Sequence, residues 1–83
     1  MSYTIRYTGT RREMLAKSLG DAKDFLGNEY AERIINEFVK IAHIYSLRYV
    51  VKRYRILLLP FGLQGVPADA IMNEAIKRYR KMP

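Results

Sequence analysis

The chain has 83 residues, no cysteine, and fifteen Lys and Arg against eight Asp and Glu, for a net charge of +7. A domain of this size buries only about 60 to 65% of its unfolded surface, and without cysteine it has neither a disulfide framework nor a thiolate metal site. The charge favours polyanionic partners; no apolar run approaches the roughly twenty residues of a membrane span, and no basic start followed by an apolar run marks a secretory signal.

The first predicted element is a strand. Residues 3–8, "YTIRYT", alternate between large apolar and polar or basic side chains, so Tyr3, Ile5 and Tyr7 share one face and Thr4, Arg6 and Thr8 the other. A lone strand needs a neighbour. After Gly9, Thr10 and Glu13 stand at capping-box spacing and start a helix. Leu15, Leu19, Ala22 and Leu26 give it an apolar stripe, widened by Met14 and Phe25. Gly20 interrupts that stripe and Gly27 closes the helix.

Asn28 is the expected N-cap of a second helix, with Glu29 and Glu32 in its first turn. Ile34, Phe38, Ile41 and Tyr45 form its stripe, with Ile35 and Ala42 beside them. No Gly or Pro follows before Pro60, so the helix is expected to continue through residues 47–59 and reach about 45 Å. The same stretch is rich in β-branched and aromatic residues, which leaves strands as the alternative. Residues 60–66 read as a loop. Pro67 opens a last helix with an apolar face of Ile71, Met72, Ala75, Ile76 and Tyr79, and Lys77, Arg78, Arg80 and Lys81 complement its C-terminal dipole.

With this order the strand has no partner within the chain, and the sequence resembles the ribbon-helix-helix DNA-binding proteins typified by the Arc-like repressors. The resemblance covers residues 2–45 and rests on "YTIRYT", the amphipathic first helix, the "LGNE" break and "AERIINEFV" in the second. It implies a mainly α protein with one N-terminal β-strand, a ribbon-helix-helix homodimer with an extended second helix and an additional C-terminal helix. Residues 1–83 then form a single domain, with 46–83 as a helical C-terminal extension. The resemblance implies a transcriptional regulator that inserts a two-stranded ribbon into the major groove of double-stranded DNA, Thr4, Arg6 and Thr8 facing the bases. Arg bonds guanine and Thr bonds a base edge or contacts thymine. Gly27 and Asn28, at the start of the second helix, would hold a phosphate, and Arg11 and Arg12 are further phosphate candidates. No cofactor, metal, catalytic residue, small-molecule partner or membrane is implied, and the expected location is intracellular, in cytoplasm or nucleoid.

Other residues support other classes. The run Arg48, Lys52, Arg53 and Arg55 either binds phosphate or solvates an apolar helix. Tyr30, Tyr45, Tyr54 and Tyr79 lie at helical spacing and read as core. If residues 49–59 are strand, the order resembles the RelE-type ribonuclease toxins, which cleave messenger RNA with clustered Arg, Lys and Tyr; Arg53, Arg55 and Tyr79 would then be the candidates. The one histidine, His43, reads as a packing or surface residue. The short, long, short order of expected helix lengths resembles a histone-like fold, and the tail "AIKRYRKM" resembles the end of archaeal histones, which implies a non-specific DNA-compacting protein.

Overall fold

A computed structural model describes residues 7–82. Four helices carry the fold: α1 (Arg11–Leu26), α2 (Asn28–Ile44), α3 (Leu47–Leu58) and α4 (Val66–Lys81), with a 3-10 turn at Leu59–Phe61 between the last two. The molecule measures 40 × 27 × 24 Å. The most extensive packing joins α4 to α1 and then to α2, and α3 lies against both α2 and α4.

Helix α1 begins as its sequence predicts. Thr10 is the N-cap, its hydroxyl accepting from the Glu13 N–H at 3.2 Å while Glu13 accepts from the Thr10 N–H at 3.2 Å. Its fully buried residues are small, Ser18 and Ala22, which suits a close approach to the Ala-rich face of α4. Phe25 is exposed and its ring leans over the backbone of Gly62, where a Cβ would meet it at 3.4 Å. Gly20 faces open space, and a methyl group added there would meet nothing within 4 Å. Gly20→Ala is therefore expected to raise the unfolding free energy by about 0.5–1 kcal/mol through helix propensity alone, read from the shift of the urea midpoint.

Gly27, at φ +92°, closes α1 and also caps α2, so Asn28 is the first helical residue and not the cap. Helix α2 buries Ala31, Ile34, Ile35, Phe38, Val39 and Ala42, while Tyr45 is exposed. Helix α4 starts near Pro67 as predicted and buries Ala68, Ala70, Ile71, Met72 and Ala75. The core closes around Ile35, Val50, Leu58 and Ile71, all fully buried.

Two expectations are corrected. The ribbon-helix-helix architecture is not what the chain forms, since among the described residues there is no strand. Tyr7 and Thr8 are coil, and the Tyr7 hydroxyl donates to Asp21 on α1 at 2.9 Å. The apolar faces of α1 and α2 are covered by α4 of the same chain, so closing this core needs no paired ribbon. Residues 3–6 of the predicted strand lie outside the described residues. The second helix is also not extended: it stops at Ile44, and Ser46 caps a separate α3 by accepting from the Tyr49 N–H at 3.0 Å. Ser is a strong N-cap residue, and this one turns the chain so that Val50 and Leu58 return to the core.

Arg78 ties α4 to α2. Its guanidinium donates to Glu32 at 2.8 Å, to Glu74 at 3.1 Å and to the Asn36 side-chain oxygen at 3.1 Å, and Lys23 adds an ion pair to Glu32 at 3.4 Å. The Arg78 hydrogen bond above all holds the Glu32 carboxyl below its ordinary value of 4.5. A lowered carboxylate contributes stability that is full above the unfolded value and is lost as pH falls through the lower folded one. Arg78→Gln should therefore remove part of the stability lost on acidification below pH 4.5. With Glu32 35% exposed, the share is about 1 kcal/mol or less, read by comparing urea midpoints of the two proteins at neutral and acid pH.

Candidate functional site

Charge is unevenly spread along the chain. Residues 38–68 contain Lys40, Arg48, Lys52, Arg53 and Arg55 and not one Asp or Glu. Four of these five cations lie on α3. Elsewhere several cations are paired: Arg11 with Asp69, Lys23 with Glu32, and Arg78 with Glu32 and Glu74.

Helix α3 is held from its inner side. Val50 and Leu58 are fully buried, and the Tyr54 hydroxyl donates to Asp69 of α4 at 2.5 Å. Burial first, and then the Asp69 carboxylate, pushes the Tyr54 phenol up, so it stays protonated and donating. At 100° per residue, anchoring Val50 inward points Arg48, Lys52 and Arg55 outward, with Tyr49 and Arg53 on one flank. Arg55 is partly engaged by the Tyr54 hydroxyl at 3.2 Å and by Asp69 at 3.6 Å. Among the described residues no carboxylate lies within ion-pair distance of Arg48, Lys52 or Arg53.

The flank carries a second feature. Tyr45, the C-cap residue of α2, stacks on Tyr49 with ring centroids 4.7 Å apart and planes 20° from parallel, and the Arg53 guanidinium also lies over the Tyr49 ring, 4.1 Å from its centroid. Toward the C-terminus the surface turns apolar, with Ile56 70% and Leu59 53% exposed.

The residues predicted to bind DNA are not gathered here. Thr4 and Arg6 lie outside the described residues, and Thr8 is exposed coil before α1. Arg11 pairs with Asp69 at 3.5 Å, and Arg12 is exposed beside it. Gly27 and Asn28 are exposed at the far end of α1, roughly 22 Å from Arg12 at 1.5 Å per residue, so the candidate phosphate contacts form no single site. The nuclease candidates are also apart. Residues 49–58 are helical rather than strand, Arg53 and Arg55 leave α3 about 200° apart, and Tyr79 packs on His43 with ring centroids 4.6 Å apart. The helices have 16, 17, 12 and 16 residues, which is not the short, long, short order of a histone-like chain.

Sequence reasoning placed the basic run but not its setting. Ser46 was the available signal, since a Ser before "LRYVVKRYRILL" is a helix start, and phasing a new helix from Val50 would have turned the cations outward. The fold and this surface define a four-helix domain with an acid-free cationic helix on its outside. No family model, curated protein or solved structure matches the chain.

Proposed function

We propose that the protein binds nucleic acid through the outer face of α3, with Arg48, Lys52 and Arg53 on backbone phosphates. The observation that carries this is the acid-free stretch 38–68, folded so that three of its cations on α3 are exposed without carboxylate partners among the described residues. Unpaired cations on the outer side and one flank of a single helix meet a polyanion with no internal ion pair to break. Base reading by Thr4, Arg6 and Thr8 depended on a paired ribbon, so the proposal rests on phosphate contact and not on sequence readout. Homodimerisation depended on the same strand, and two copies meeting through α3 would set these cations against each other.

The test is fluorescence anisotropy with labelled DNA of mixed sequence over a range of salt. Binding that weakens steeply with salt is expected. Absence of binding at low salt ends the proposal.

One observation favours a second reading. Ile56 and Leu59 leave an apolar end on a basic helix, the composition of helices that lie on anionic bilayers. No described helix is long and apolar enough to cross a membrane, so such contact would be peripheral. Co-sedimentation with phosphatidylserine vesicles but not phosphatidylcholine vesicles, together with no nucleic-acid binding, would favour it.

A further inference from the structure

The Tyr45–Tyr49–Arg53 stack has a use that phosphate contact leaves unexplained. Its three members follow one another at four-residue intervals. The inner ring, Tyr49, is covered by two flat groups, Tyr45 at 4.7 Å and the Arg53 guanidinium at 4.1 Å. The outer ring, Tyr45, is 66% exposed, and its main-chain N–H is fixed to the Ile41 carbonyl at 2.9 Å. The arrangement is a short cluster of flat groups with an exposed aromatic ring at its end. Lys52 lies three residues from Tyr49 on the same helix, the spacing at which side chains meet, and Arg48 is exposed on the adjoining face.

A flat aromatic face beside unpaired cations matches an unpaired nucleobase and its own phosphates. Bases stack on aromatic side chains in a sequence-tolerant way, and a guanidinium in the pile adds cation–π attraction. A ring already ordered by its neighbours loses less freedom on binding than a free one. In a duplex the base faces are occupied by adjacent base pairs, so only a single strand, a loop or a frayed end presents what Tyr45 can cover.

Resting on the nucleic-acid reading above, we infer that Tyr45 is a base-stacking site and that the preferred ligand is single-stranded nucleic acid. The experiment compares three labelled probes of equal length by anisotropy at low salt: oligothymidylate, an abasic strand carrying the same phosphates, and a duplex. The unmodified protein should bind the oligothymidylate about tenfold more tightly than the abasic strand, within the range base stacking contributes. Tyr45→Leu should abolish that preference while leaving abasic-strand affinity unchanged, and Tyr45→Phe should keep it. Because Tyr45 is largely exposed, far-ultraviolet dichroism should show all three proteins equally helical. Equal binding of the oligothymidylate and the abasic strand by the unmodified protein, or a Tyr45→Leu variant that keeps the preference, overturns the stacking site and leaves phosphate binding standing. No binding to any probe overturns both.

Discussion

Ile71→Ala is expected to lower the unfolding free energy by about 2–5 kcal/mol, the range for truncating a buried aliphatic side chain without full collapse of the cavity. Ile71 is fully buried in α4, the helix that packs on all three others. A domain of this length has about 4–12 kcal/mol in total, so the loss removes a large share and should lower the melting temperature by roughly 4–8 °C per kcal/mol. Ile56→Ala makes the contrast, because Ile56 is 70% exposed and its loss should stay within about 0.5 kcal/mol. Chemical denaturation of both variants decides the matter. If Ile71→Ala were as mild as Ile56→Ala, α4 would be an appendage to a core made by the first two helices, as in the ribbon-helix-helix arrangement, and the fold described above would be wrong.

Replacing Arg48, Lys52 and Arg53 together with Gln should remove most nucleic-acid binding. Three phosphate contacts give a log–log salt slope of about −2.7 on duplex or −2.1 on a single strand, a loss of about twenty- to forty-fold in affinity between 50 and 200 mM salt. The triple variant should bind with a slope near zero and an affinity reduced by a comparable factor at low salt. Stability should fall by no more than about 1 kcal/mol, the worth of the exposed cation–π contact of Arg53 with Tyr49, since these side chains make no ion pair among the described residues. Arg12→Gln removes one positive charge at the exposed start of α1 and should leave the slope nearly unchanged. A slope that instead falls for Arg12→Gln and persists in the triple variant would move the contact surface from α3 to the N-terminus of α1.

The features legible in the sequence were those set by neighbours along the chain. The Thr10–Glu13 capping box, the Gly27 break, the start of α4 near Pro67 and the apolar face around Ile71 and Met72 depend on hydrogen bonds and side-chain spacing within a few residues. The basic run on α3 was visible for the same reason, as was the absence of any acid from residues 38–68. Alternation in residues 3–8 satisfied the strand pattern equally well. Yet a period of two shows which side chains share a face and not what that face meets; for Tyr7 it is Asp21 of α1. One polar residue, Ser46, decided whether residues 47–58 continued α2 or turned back as a separate helix, and its capping preference became decisive once Val50 and Leu58 could be buried. The placement of α4 over α1 and α2, and the burial of Val50 that turns Arg48 and Lys52 outward, belong to tertiary structure, because each depends on contacts between segments whose relative positions no local spacing specifies.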